Sequence, residues 1–256
     1  MTADPVLLDL NADLGEGFGD WSMGDDAAML DVVTTANIAC GGHAGDPGTM
    51  RSALRGAAAR GVAVTAHVAY PDLQGFGRRF LDISPTELTD LVIVQVGGLQ
   101  AMARAEGTTV RGVKPHGALY NALAHHDAQA AAVVQALREL GGELSLLAAP
   151  GAAVLAPART AGINVVLEGF ADRAYLSDGT LLPRSRPGSV LTDTNAVVDQ
   201  ALEIATGRRV RADDGTWVDL PVRSLCLHGD TPGAVTLARA VRDRLEDVGV
   251  RLEAAL

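Results

Sequence analysis

At 256 residues and 48% hydrophobic content, the chain is sized for one α/β domain with a large core. Aromatics supply only 4% of it, so Ala, Val and Leu must build that core. A net charge of −10 with no clustered Lys and Arg excludes a nucleic-acid surface.

The first strand is predicted at about 6–12, with a glycine-rich loop after it and a helix near 24–36. The second strand covers about 37–41, and Pro47 opens a helix that runs to Arg60 and stops at Gly61. The third strand follows and ends at His67. Ser84-Pro85-Thr86-Glu87 is a capping box with proline at the first helical position. Behind it Leu88, Leu91, Val92, Val96, Leu99 and Met102 recur at helical spacing. The fourth strand is about 109–114, and the alanine-rich segment 118–140 reads as one long helix. The fifth strand covers 144–149, with a short helix closed by Gly162, and the sixth about 163–168. Residues 171–192 lack periodicity and read as a long functional loop. A helix at about 193–206 precedes a β-hairpin at 208–222 around Asp213-Asp214-Gly215. The seventh strand is about 223–228, and Val235, Leu237, Ala238, Val241, Leu245 and Val248 mark a last helix.

Repeated strand–helix units force parallel strands, because each crossover returns the chain to the same end. Seven such units without a dinucleotide fingerprint favour a distorted, TIM-like β/α barrel in one domain over an open doubly wound sheet. No apolar run reaches the roughly 18 residues of a membrane helix. The N-terminus carries no basic leader region, and Cys40 and Cys226 fall in buried strands rather than a disulfide framework. A soluble cytoplasmic protein, without membrane or nucleic-acid partners, is expected.

The strands end in chemistry. Asn11, Asp13 and Glu16 follow the first, with Asn11 and Asp13 on one face and Glu16 over it. Two neighbouring carboxylates push their pKa values apart, which suits a base beside an acid or ligand. His43 follows the second strand in a glycine loop that suits an anion but lacks a Walker Lys-Ser/Thr. His67, Lys114, His116 and His228 end later strands, so four of the six histidines sit at strand C-termini. Lys114, ending an apolar strand, is either desolvated or paired with an acid. Asp172, Arg173, Arg184 and Arg186 lie in or beside the long loop, where guanidinium groups suit a carboxylate or phosphate. Asp230 closes the set or caps the last helix. No Gly-x-Ser-x-Gly elbow occurs and Cys40 reads as a packed residue, which leaves acid–base or metal-assisted chemistry.

The segments 9–16, 37–41, 43–47, 75–79, 113–121, 170–175 and 228–232 together resemble, in order, the LamB/YcsF family. Departures are Gly42, Val68 and Gly169, all affecting loop shape. The resemblance implies a distorted seven-stranded barrel of the glycoside hydrolase/deacetylase type. It further implies ATP-dependent opening of 5-oxo-L-proline to L-glutamate, in a complex with 5-oxoprolinase subunits B and C. With no nucleotide loop in this chain, ATP is expected to be bound largely by those partners. Within that scheme Asp13 or Glu16 activates water, His43 or His116 handles the second proton, and Lys114 offsets developing negative charge. One of Arg173, Arg184 and Arg186 holds the substrate carboxylate, with Asn11, His67, Asp172, His228 and Asp230 lining the substrate site. Two other classes stay open. One is a metal-dependent hydrolase with an Asp13–His67–His116 site; the other is a non-catalytic protein that binds the substrate.

Overall fold

The computed structural model describes residues 6–229 and 233–256. Alternation along each strand decides the architecture. In β1 (Leu7–Leu14), Leu8, Leu10, Ala12 and Leu14 are buried on one face and Asp9, Asn11 and Asp13 on the other. The apolar face meets helices, and the polar face meets the polar faces of other strands.

Those strands are β2 (Thr35–Ala39), β3 (Ala63–Val68), β4 (Val110–Pro115), β5 (Ser145–Ala148) and β6 (Val165–Phe170), each parallel to the one before. A short antiparallel hairpin, β7 (Arg209–Arg211) and β8 (Trp217–Asp219), then interrupts the order. β9 (Ser224–Leu227) pairs with both β6 and β1, which closes a seven-stranded barrel. The barrel reading is borne out, and so is the hairpin at 208–222. β10 (Arg251–Leu252) adds to the N-terminal end of β1, and the tail after it brings Leu256 against Gly112 of β4. Two residues are too few to show a period, so β10 leaves no trace in the hydrophobic pattern.

The helices start where their caps dictate. Asp46 Oδ1 accepts from Gly48 N and Thr49 N to open α2 (Pro47–Arg60), and Gly61 stops it at φ 66°. Ser84 Oγ accepts from Glu87 N at the head of α3 (Pro85–Ala105).

Two helix predictions need correction. The helix expected near 24–36 is only α1 (Asp26–Leu30), because the β-branched run Val32-Val33-Thr34-Thr35 leads into β2. There Thr34 and Thr35 both donate to Asp9 Oδ1. The helix expected over 118–140 is two, α4 (Gly117–His125) and α5 (Asp127–Leu140). His126 stands extended between them, its Nδ1 accepting from Gln129 N. α6 (Leu155–Thr160), α7 (Thr194–Leu202) and α8 (Ala234–Asp247) complete the outer layer, with a π-helical turn at Glu203–Gly207 prolonging α7.

The long loop 171–192 is irregular but folded back on itself. Ala174 N donates to Ser189 O, Leu182 N to Ala174 O and Leu191 N to Asp172 O. Gln200 of α7 reaches the carbonyls of Phe170, Ala171 and Arg173. The loop is thus a fixed flap over the C-terminal rim.

Candidate active site

Inside the barrel the polar faces stack into a connected column. At its base Asp9 accepts from Thr34, Thr35 and Ser224. Asn11 Nδ2 donates to Ser224 Oγ at 2.7 Å, Asn37 Nδ2 to Asn11 Oδ1 at 2.7 Å, and Thr65 Oγ1 to Asn37 Oδ1 at 2.6 Å. Asn37 also donates to Asp13 Oδ1 at 2.9 Å. Every bond but that of Thr34, which stands just before β2, joins side chains of different strands, so the column locks the register of the barrel.

At the top of the column sits Lys114. Its Nζ donates to Asp13 Oδ1 at 3.0 Å, Asn11 Oδ1 at 3.2 Å and Cys226 Sγ at 3.0 Å. Glu168 Oε1 lies 3.0 Å away as an ion pair rather than a directed hydrogen bond. Burial opposes the charge on Lys114, but Asp13 and Glu168 outweigh it and hold the ammonium well above its usual range. Of the two readings of Lys114, the paired one is therefore observed. Burial likewise opposes ionisation of Asp13, yet His67 and Lys114 hold its carboxyl well below the usual range. Glu168 is pushed up by burial. The two carboxylates flanking one cation are thereby separated in acidity, as in sites where one acts as base and the other as acid.

Beside Asp13 lies a second cluster. Glu16 Oε1 is 2.9 Å from His43 Nε2, 3.5 Å from His116 Nδ1 and 3.8 Å from His67 Nε2. His67 Nε2 is also 3.2 Å from Asp13 Oδ2. The rings of His43 and His116 stack with centroids 3.7 Å apart. Phe76 meets both edge-on and keeps a left-handed φ of 53°. Gly77, also left-handed, lies so close that a Cβ would stand 2.8 Å from His43 Cβ. The motif Gly75-Phe76-Gly77 is thus a buttress for two imidazoles.

Both clusters open into a cleft of about 550 Å³, a size suited to a small molecule. Asp13, Glu16, His67, Lys114, His116 and His228 line it from the barrel, and Arg173 and Arg184 from the flap. Arg173 is already engaged, donating to Ser189 O at 2.9 Å and Leu182 O at 2.7 Å, and burial lowers it to about 10.

Four other expected residues, all among those described, do not line the cleft. Asn11 belongs to the column, and His43 stands behind His116. Asp172 accepts from His228 N at 3.0 Å and faces the His228 ring at 2.9 Å. Arg186 is exposed and reaches Asp213 at 3.8 Å. Asp230 lies outside the described residues.

Three residues beyond the expected site residues belong to the site. Glu168, the acidic group that ends the apolar run 165–167 in the sequence, lies within β6 with the parity of an inward residue. Asn37 has the same parity in β2. Tyr120 lines the cleft from α4, its hydroxyl buried without a hydrogen-bond partner among the described residues and its ring 5.6 Å from Phe170. A tyrosine on a helix carries no comparable signal.

The family model described as the LamB/YcsF family matches residues 8–256. The chain is 54% identical to the 5-oxoprolinase A-subunit of Kocuria rhizophila over 245 residues, 96% of this chain and 97% of that protein. The protein of the same name from Streptomyces avermitilis is also 54% identical, over 97% of this chain and 99% of that one. Among solved structures, a lactam utilization protein from Thermus thermophilus superposes with a TM-score of 0.91 at 44% identity, over 96% of this chain and 99% of that one.

Proposed function

The chain belongs to the LamB/YcsF family, and from that premise we propose that it is the barrel component of an ATP-dependent 5-oxoprolinase. That enzyme opens 5-oxo-L-proline to L-glutamate with hydrolysis of ATP. The observation that carries this reading is the match, along nearly the whole length, to proteins named as the A-subunit of 5-oxoprolinase. The cleft supports it chemically: a buried ammonium between two carboxylates, roofed by arginines, suits a small acidic amide.

A lactam amide is a poor electrophile, and ring opening to glutamate is uphill without coupling. Phosphoryl transfer from ATP to the amide oxygen, with ADP departing, would turn that oxygen into a leaving group and the carbon into a target for water. This chain has no Walker loop. The partners, subunits B and C, would therefore bind most of the ATP and this chain the activated lactam.

Asp13, held ionised, would act as the base for water, with Glu16 as its alternative and His116, backed by His43, for the second proton. Lys114 would offset charge developing on the oxygen. Arg184 is the better grip for the substrate carboxylate, since Arg173 already staples the flap. Tyr120 offers a hydroxyl for the substrate to use.

No helix of the described residues is long and apolar enough to cross a membrane, and Cys40 and Cys226 are free buried thiols. We place the reaction in the cytoplasm on that account. The test is glutamate formation from 5-oxoproline and ATP by this chain alone, by its partners alone and by the three together. Glutamate only from the full mixture supports the proposal; glutamate from the partners alone overturns it.

A further inference from the structure

Glu16, His43, His67 and His116 are all buried, and one donor atom from each falls in a group whose members lie within 4.8 Å of one another. Two of the rings have their tautomers set from outside. His67 Nδ1 lies 3.0 Å from the Lys114 carbonyl, and His116 Nε2 lies 2.9 Å from the Phe76 carbonyl. A carbonyl oxygen can only accept, so each of those nitrogens carries its hydrogen. In neutral rings this leaves His67 Nε2 and His116 Nδ1 as the lone-pair atoms, and they face each other at 2.9 Å. Two lone pairs at that distance, with Asp13 Oδ2 a further 3.2 Å contact of His67 Nε2, repel unless a positive centre, a proton or a metal ion, lies between or beside them. His43 turns Nε2 toward Glu16 at 2.9 Å, which brings a third imidazole nitrogen to the same carboxylate.

We propose that Glu16, His43, His67 and His116 form a binding site for a divalent metal ion, of the three-imidazole, one-carboxylate kind that suits Zn²⁺. Bonds of roughly 2.0–2.1 Å in a tetrahedron set donor atoms about 3.4 Å apart. Four of the six separations scatter about that value, and none exceeds 4.8 Å: 2.9 Å from Glu16 to His43, 3.5 Å to His116, 3.8 Å to His67, and 2.9 Å between His67 and His116.

The surrounding chain is arranged to aim the ligands. The carbonyls of Lys114 and Phe76 fix the two rings with their lone pairs inward, as backbone acceptors do around metal-bound histidines. Phe76 directs its carbonyl there at the cost of a left-handed φ. Because Glu16, His67 and His116 also line the cleft, an ion there would sit at its floor and face the polar end of a bound substrate. The site does not depend on the lactam reading, since a chain acting on another substrate would bind the ion equally.

The test uses the full chain, stripped with a chelator and titrated with Co²⁺ and then Zn²⁺, with circular dichroism as the check on folding. One Co²⁺ per chain is expected, with the intense visible absorption of a four-coordinate ion that Zn²⁺ abolishes. His116→Gln and Glu16→Gln should each weaken Co²⁺ binding by at least about tenfold while staying folded. His125→Gln, on an exposed ring outside the four, should bind as the wild type does. If the folded wild type binds Co²⁺ no better than the first two variants, the proposal is overturned, and a proton shared by His67 and His116 is what joins them. Metal binding is read without turnover, so its failure and failure of the lactam reading are separable.

Discussion

The residue that most of the site depends on is Lys114. Its ammonium is the cation for Asp13 and Glu168 at once, all three being buried. Lys114→Met keeps the stem and removes the charge, which leaves two buried carboxylates uncompensated. The expected loss is about 3–5 kcal/mol in urea unfolding; near-wild-type stability would show that the pair is not coupled to folding. Asp26 gives a prediction of opposite sense. Its carboxyl accepts from Gly15 N, and burial raises it from 3.8 to about 6. The folded chain thus holds this proton to about pH 6, whereas the unfolded chain releases it near 3.8. The stabilisation is complete below the lower value and is lost as pH rises through the upper one. Asp26→Asn keeps an acceptor for Gly15 without the charge. It should match the wild type near pH 3.8 and exceed it at pH 7, by up to about 3 kcal/mol. Equal unfolding free energies at both pH values would refute this.

At the scale of elements, the loop after β3 shows how a local conformation serves the site. Gly77 has φ 61°, and a methyl there would press on His43 and His116. Gly77→Ala should cost about 1–3 kcal/mol and impair turnover beyond what that loss of stability explains, because two imidazoles are displaced. Normal kinetics in a folded variant would mean the buttress is dispensable. The same loop marks what could be read in advance. Alternation in β1 places Asn11 and Asp13 on one face from sequence alone, and the capping residues Ser84 and Asp46 locate two helix starts. Those features depend only on neighbours in the chain. Phe76 carries no such warning, since its role rests on a carbonyl that meets His116, 40 positions away. The break between α4 and α5 is hidden for a related reason. Alanine favours helix on both sides of it, and only the extended backbone at His126 reveals it. The helix predicted over 24–36 loses its second half to Thr34 and Thr35, which Asp9 holds at the start of β2.

On the scale of the whole molecule, closure of the barrel explains why residues from distant parts of the sequence meet. β9 pairs with β1 and β6, bringing Cys226 and Ser224 against Lys114 and Asn11. The lower barrel is a satisfied polar column, and the upper barrel carries charge into a cleft roofed by the flap. A rigid base under a chemically loaded rim is the usual division of labour in barrel enzymes. On the function proposed above, the Asp13–Lys114 centre would perform the chemistry of the assembled enzyme. The most direct measurement is glutamate formation by the complex reconstituted with Asp13→Asn, alongside its unfolding midpoint and its assembly with the partners. A folded, assembling variant is expected, with turnover lowered by about a hundredfold or more. Wild-type turnover from that variant would contradict a catalytic role for Asp13.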